Sequence, residues 1–155
     1  MKAPRLLSSL IAWLLVLPVF SALAQSSSTN LAEVDFRAAD IFLDSKDQPL
    51  AAYQFEFSVI GGDARIVSIE GGEGPAFSEP PFYDPRAMQH ERVILAAFST
   101  NAVAQLPTGK TRVATIHFQI HRAAEPEFQL TLQAAADSNG NRIPAETSAE
   151  ERRTK

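Results

Sequence analysis

Apolar residues recur at every second position in several stretches of this chain, and that period constrains the fold more than any other feature. The clearest example is residues 51–59, AAYQFEFSV, where four apolar residues alternate with three polar ones: Tyr53, Phe55, Phe57 and Val59 against Gln54, Glu56 and Ser58. Successive side chains of a β-strand point to opposite faces. This stretch is therefore predicted to be a strand with one buried and one exposed face.

Two further stretches follow the same rule. Residues 111–121 place Ala114, Ile116, Phe118 and Ile120 inward and Thr115, His117, Gln119 and His121 outward. Residues 127–135 place Phe128, Leu130, Leu132 and Ala134 inward. Residues 92–99, RVILAAFS, are apolar on both faces, which predicts a strand in the middle of a sheet. RIVSIE is predicted as a shorter strand, and VDFRAADIFLDS as one interrupted strand or two short ones.

Turn sequences separate these runs. KDQP, GGD, GGEGP, LPTGK, AEPE and DSNGN each contain the Gly, Pro, Asn or Asp that turns require. Beyond the N-terminal segment no window has a helical period, although PRAMQHE could form one turn. Short alternating strands joined by turns, without helices, predict an all-β fold, an antiparallel β-sandwich.

The N-terminal 24 residues have the pattern of a secretory signal peptide. Lys2 and Arg5 precede an apolar stretch, and the small residues Ala22 and Ala24 lie three and one positions before the expected cleavage site. Pro18 breaks the apolar stretch, which is less typical of a retained membrane anchor. We expect cleavage after Ala24, a secreted or periplasmic protein, and no membrane span in the mature chain.

The mature chain is predicted to contain one domain. Residues 25–32 form a polar leader, residues 33–144 form the β-sandwich domain, and residues 145–155, AETSAEERRTK, are expected to be a charged C-terminal tail without apolar periodicity.

Charge and cysteine content exclude several functional classes. The formal net charge is −4, from 14 basic and 18 acidic residues, and it becomes −6 when the two basic residues of the signal peptide are removed. An acidic domain is a poor ligand for nucleic acid. Without cysteine the chain has no disulfide, thiol catalyst or Cys-ligated metal.

The order of the runs resembles a known family. The pieces are PLAAYQFEFSV, ARIVSIEGGEG, RVILAAFS, LPTGKTRVATIHFQI and FQLTLQAAADSNGNRIP. In this order they resemble the cohesin-like domain of the carbohydrate-binding β-sandwich superfamily, over about residues 33–144. The resemblance implies a non-catalytic module that binds a protein, either dockerin-like or another envelope protein.

The resemblance also implies a binding surface. The outward faces of residues 53–59, 92–99 and 111–121 would belong to one sheet that meets the partner. On that layout the candidate partner-binding residues are Gln54, Glu56, His117 and Gln119. The alternative interpretation is that these residues only form the wet polar face that antiparallel sheets usually have.

The segment between the third and fourth strands, EGGEGPAFSEPPFYDPRAMQHE, is the other candidate site. Its prolines keep much of it out of a sheet interior, and its aromatic residues are too apolar to leave in water without a reason. They either cap the sandwich or form an aromatic platform, for which Phe82 and Tyr83 are the candidates.

These features keep three binding hypotheses open. A flat polar sheet favours a protein partner. A coplanar pair of exposed rings among Phe77, Phe82, Tyr83 and Phe98 favours a polysaccharide, as in a carbohydrate-binding module. If neither feature is present, a scaffold without a discrete ligand is favoured.

Metal and catalytic patterns are weak. Asp84, His90 and Glu91 could meet a cation, but His117 and His121 would lie about 13 Å apart on a strand, too far for one ion. Asp137 begins a stretch that matches an EF-hand loop only in its first three ligand positions, so DSNGN is interpreted as a hairpin turn. With no nucleophile elbow, phosphate loop or paired carboxylates, we expect neither enzymatic activity nor a cofactor.

Overall fold

A computed structural model describes residues 34–61, 63–121 and 126–153. Within them lie seven strands: β1 (Val34–Asp44), β2 (Ala52–Ile60), β3 (Asp63–Gly71), β4 (Arg92–Phe98), β5 (Lys110–His121), β6 (Glu127–Ala136) and β7 (Glu146–Arg153). They form two antiparallel sheets, one in the order β3-β5-β1-β7 and the other in the order β4-β2-β6. The predicted antiparallel β-sandwich is confirmed.

The core is the apolar layer between the two sheets. From β2 it receives the four residues expected to point inward, Tyr53, Phe55, Phe57 and Val59, and from β5 it receives Ala114, Ile116, Phe118 and Ile120. The inward residues of both strands are therefore confirmed, but Thr115, expected to face outward on β5, is fully buried and bonded to Asp40 and Arg112. The expected signal peptide and polar leader lie outside the described residues.

VDFRAADIFLDS forms a single strand, β1, and its pairing with β5 contains a bulge. Ile41 pairs with Ala114 and Phe42 with Arg112, so Val113 has no partner on β1. The Tyr53 hydroxyl donates to the Val113 carbonyl at 3.0 Å. This bond joins the two sheets through the core, and burial raises the pKa of Tyr53.

Because of a second bulge, the inner face of β6 differs from the predicted one at its C-terminal end. Phe55 pairs with Leu132 but Gln54 pairs with Ala134, which leaves Gln133 as the extra residue. One extra residue reverses the alternation beyond it. Ala134 is therefore exposed, and Ala135 takes the buried position.

RVILAAFS was expected in the middle of a sheet, and this prediction is wrong. Strand β4 lies at the edge of the three-stranded sheet, and its outward residues Ile94 and Phe98 are exposed. Its outer edge is instead met by the loop before it. Phe82 and Ala96 exchange two backbone hydrogen bonds, of 2.7 and 3.0 Å.

The expected charged tail also differs from the structure. Residues Glu146–Arg153 form β7, which pairs with β1 along eight residues and carries Glu151, a partner of the buried Arg37 at 2.9 Å. The charges conceal the strand in the sequence, since the inward Thr147 and Ala149 are small and give a weak apolar period.

The segment between β3 and β4 closes one side of the sandwich. It contains a four-residue helix, Gly74–Phe77, and a 3₁₀ turn, Pro85–Ala87. While Phe82 binds the edge of β4, Gln89 donates to the Ile66 carbonyl of β3 at 2.9 Å. This segment thus covers one edge of each sheet, at β3 and at β4. No helix in the described ranges is long and apolar enough to cross a membrane.

The bond between Tyr53 and Val113 predicts the effect of removing one hydroxyl. Tyr53→Phe leaves a buried carbonyl without its donor, so we expect the free energy of unfolding to fall by about 1–3 kcal/mol. Urea denaturation measures the change. Tyr83→Phe is the matched control and should leave the midpoint unchanged; equal midpoints for both variants would contradict the role of the bond.

The position of β7 predicts that the C-terminal residues cannot be removed. A chain that ends at Ala145 loses the strand beside β1 and uncovers its edge, so we expect its cooperative thermal transition to be lost or strongly lowered. A chain that ends at Arg153 keeps β7 and should melt like the full protein. If the shorter chain also melted normally, residues 146–153 would behave as a tail.

Candidate binding surface

The outer face of the three-stranded sheet carries an unusual set of small side chains. Paired residues of antiparallel strands point to the same face. Ala52 pairs with Phe98 and Ala136, and Gln54 pairs with Ala96 and Ala134. We call the four partly or fully exposed alanines the alanine floor: Ala52, Ala96, Ala134 and Ala136.

Two phenylalanines stand beside this floor and form what we call the Phe ridge. Phe82 is 68% exposed and Phe98 is 64% exposed. Their ring centroids lie 6.0 Å apart and their planes differ by 11°. Phe82 belongs to this face because its backbone pairs with Ala96. Two large aromatic rings in water, next to one another, are the kind of surface that marks a binding site.

Beside the Phe ridge runs a groove of about 260 Å³. Its walls come from the β3–β4 segment, including Pro75 and Pro80, and from the end of β4 with the polar residues that follow it, including Asn101. Phe82 and Phe98 both line it. The ridge is therefore accessible from the sheet face and from the groove.

Gln54 lies between Ala96 and Ala134, other polar side chains border the alanine floor, and these polar groups bind one another. The Gln54 side-chain amide donates to Gln133 Oε1. Arg92 donates from Nε and Nη2 to the two carboxylate oxygens of Glu56, at 2.6 and 2.7 Å. The Arg92 guanidinium holds the pKa of Glu56 below its usual value. These groups already have partners, so the floor between them presents mainly apolar surface.

The structure brings together only some of the predicted site residues. Gln54, Glu56 and Phe82 share the outer face of the three-stranded sheet. Tyr83 is half-buried and packs against the core. Of the segment's other aromatic residues, Phe77 is only 3% exposed. Phe77 and Tyr83 therefore cap the core, whereas Phe82 is exposed to solvent and stays a candidate for the platform.

His117 and Gln119 require a correction. Their strand, β5, lies in the four-stranded sheet, not with β2 and β4. Their side chains therefore point to the opposite outer face of the sandwich. The expected single surface of Gln54, Glu56, His117 and Gln119 does not exist, because which sheet a strand joins is set by pairing between distant residues.

The opposite face has its own small site. A groove of about 280 Å³ is lined by Phe36, Val67, His117 and neighbouring residues. His117 Nε2 lies 3.1 Å from Glu70 Oε1 but makes no hydrogen bond with acceptable geometry, and that nitrogen is buried. Phe36, 55% exposed, is the other large aromatic on this face.

No metal centre is found within the described part of the chain, where no group of three or more His, Cys, Asp or Glu residues is placed to hold an ion. Asp84, His90 and Glu91 line an open groove of about 430 Å³, together with two arginines. The carboxylate of Asp137 accepts from the backbone N–H groups of Asn139 and Asn141 and from the Asn141 side chain, which lowers its pKa. It closes the predicted turn.

Sequence reasoning named both phenylalanines of the ridge but missed the alanine floor and Arg92. Part of the signal for the floor was present in RVILAAFS, which contains Ala96, but its apolar outward positions were interpreted as those of a strand in the middle of a sheet. The pairing of Arg92 with Glu56 depends on the register between β2 and β4, which no local pattern specifies.

No protein-family model, curated protein or solved structure matches this chain.

The ion pair between Glu56 and Arg92 predicts a pH dependence. Because the folded-state pKa of Glu56 is lowered from 4.5, its contribution to stability is present above pH 4.5 and is lost as the pH falls through the folded pKa. Glu56→Gln should therefore lower the urea midpoint at pH 7, and this deficit should shrink as the pH falls below 4.5. Glu79→Gln, at an exposed position, is the control; a Glu56→Gln deficit that does not shrink in acid would contradict the assignment.

Proposed function

We propose that this protein is a secreted, non-catalytic binding module that holds another protein on the Phe ridge and the alanine floor. The observation that carries the proposal is the exposure of Phe82 and Phe98 beside four alanines on one sheet face. Sheet faces in contact with water usually carry polar residues. A face that departs from this rule supports a surface that becomes buried when a partner binds.

The chemistry of the surface favours a protein over a sugar. The four alanines offer no hydrogen-bonding side chains, whereas sugar hydroxyls need donors and acceptors when they lose water. The nearest polar groups, Gln54 and the Glu56–Arg92 pair, are already bonded to protein groups. Aromatic anchors beside a flat apolar area with a polar border match the usual anatomy of a protein interface.

Export rests on the N-terminal sequence. The apolar stretch and the alanines that frame a cleavage site after Ala24 support secretion or a periplasmic location. The absence of cysteine is compatible with either compartment, since the core of the sandwich supplies the stability that disulfides give to smaller secreted domains.

A polysaccharide is the second candidate ligand, because one observation favours it. The rings of Phe82 and Phe98 are exposed and near-parallel, and a sugar ring can stack on an aromatic face. On this hypothesis the ligand contacts the Phe ridge and does not need the far side of the floor, where Ala134 lies.

The test uses the immobilised protein to capture partners from the envelope and secreted fractions of the producing organism, with insoluble polysaccharides in parallel. We expect the wild-type protein to capture one partner protein. The amount recovered should fall at least tenfold when Phe82 and Phe98 are both changed to alanine, because truncating two interface anchors weakens the binding free energy by several kcal/mol. Phe36→Ala removes an exposed ring from the opposite face and should change nothing.

A further variant separates the two ligands. Ala134→Arg places a large side chain on the floor away from the ridge, so it should abolish protein capture and leave sugar stacking intact. Retention on a polysaccharide that survives Ala134→Arg but not the double phenylalanine variant would establish the second candidate. If the double phenylalanine variant captures its ligand as well as wild type does, both the protein and the polysaccharide hypotheses are refuted.

A further inference from the structure

Each sheet of the sandwich has two edges, and three of the four are protected against pairing with another strand. On β3, the Ile66 N–H donates to the His90 carbonyl at 2.8 Å and the Ile66 carbonyl accepts from Gln89. On β4, Phe82 pairs with Ala96. The third edge, β7, carries the charged residues Glu146, Glu150, Glu151 and Arg152. Covering loops and charges are the usual means of blocking an open strand.

Among the described residues, neither a covering loop nor a row of charges protects the fourth edge, on β6. At its C-terminal end the Ala135 carbonyl accepts from Ile143, and Ala136 forms a bridge with Arg142. From residue 127 to residue 133, no described residue makes a backbone hydrogen bond to the outer side of β6. This stretch, EFQLTLQ, has no proline or glycine and a single charge, at Glu127. The N–H and C=O groups on its outer side, apart from the Gln133 carbonyl that accepts from Arg142, can pair with an added extended chain.

The inner side chains of β6 need covering in the same place. Phe128, Leu130 and Leu132 point toward the core but stay only partly buried. The corresponding residues of the central strand β2, such as Phe55 and Phe57, are fully buried. A strand added beside β6 would satisfy its backbone and cover these three side chains together.

We propose that the added strand is β6 of a second copy of this chain, paired antiparallel so that two three-stranded sheets become one six-stranded sheet. A register centred on Leu130 pairs Phe128 with Leu132 of the second copy and Gln129 with its Thr131. Inward residues then meet inward residues and outward meet outward, as a shared sheet requires. Each residue of the stretch then lies opposite a residue of the second copy, and the backbone groups on the outer side of β6 gain hydrogen-bond partners.

Charge complementarity supports the second copy as the occupant. Arg142 Nη2 donates to the Gln133 carbonyl at 2.7 Å, so its guanidinium lies at the end of the open stretch. In the centred register, Glu127 of the second copy comes opposite Gln133 and therefore beside Arg142. The two-fold axis repeats this contact at the other end, and no like charges face each other along the strand.

The dimer does not depend on the proposed function, since the Phe ridge lies at the β4 edge and the two floor alanines of β6, Ala134 and Ala136, lie beyond the open stretch. A two-fold axis perpendicular to the sheet would keep both outer faces on one side. The assembly would then present two Phe ridges in the same direction, which would favour partners with repeated binding sites.

Light scattering after size exclusion tests the proposal over a range of protein concentrations. Wild type should approach twice the monomer mass as concentration rises. Changing Gln129 and Thr131 both to lysine places two lysines opposite two lysines, and changing both to glutamate does the same with acids. Each variant alone should remain monomeric, while an equimolar mixture of the two should form a dimer.

The control places two lysines on the opposite outer face, at Ser68 and Gln119, and should dimerise like wild type. The mixture of oppositely charged variants guards against misfolding, since unfolded proteins would not regain a defined dimer. A wild-type protein that stays monomeric at every concentration overturns the proposal and leaves this edge to a strand of a different protein. A dimer that persists in the lysine variant assigns the contact to another surface and also overturns it.

Discussion

The apolar layer that β2 places between the sheets is the constraint on which the rest of the structure depends. Tyr53, Phe55 and Phe57 are fully enclosed, and their burial fixes which face of the central strand points inward. Since the period is two, the same choice turns Ala52, Gln54 and Glu56 outward. The candidate binding surface is thus the reverse side of the core, and a one-residue slip of β2 would exchange the two.

The two bulges show how this core is reconciled with the outer faces. On β5 the bulge leaves Val113 without a partner on β1, and the Tyr53 hydroxyl satisfies its carbonyl from the other sheet. On β6 the bulge turns Ala134 outward and completes the alanine floor. The proline-rich segment beside β4 blocks the sheet edge and carries Phe82, so an apolar ridge is exposed without an open strand next to it.

Local patterns predicted what depends on neighbours in the chain: the strands, most turns, the inward residues of β2 and β5, and the aromatic residues available for a ligand. They failed where pairing between distant residues decides which sheet a strand joins and where in the sheet it lies. His117 was grouped with Gln54 although β5 joins the other sheet, and RVILAAFS was placed in a sheet centre because its exposed Phe98 looked as apolar as a buried residue. The strand at residues 146–153 was missed because its charges resemble a tail, and only its pairing with β1 reveals it.

The sequence by itself determined an all-β sandwich, since side-chain alternation and turn residues act over a few positions and need no knowledge of the partner strand. It also supplied the aromatic residues of the candidate site. Only the tertiary structure decided which strands share a sheet, which edges stay open, and that Phe82 and Phe98 stand together beside the alanine floor. Those outcomes follow from hydrogen bonds and packing between residues far apart in the chain, and their combined free energy selects one register among many that the local pattern allows equally well.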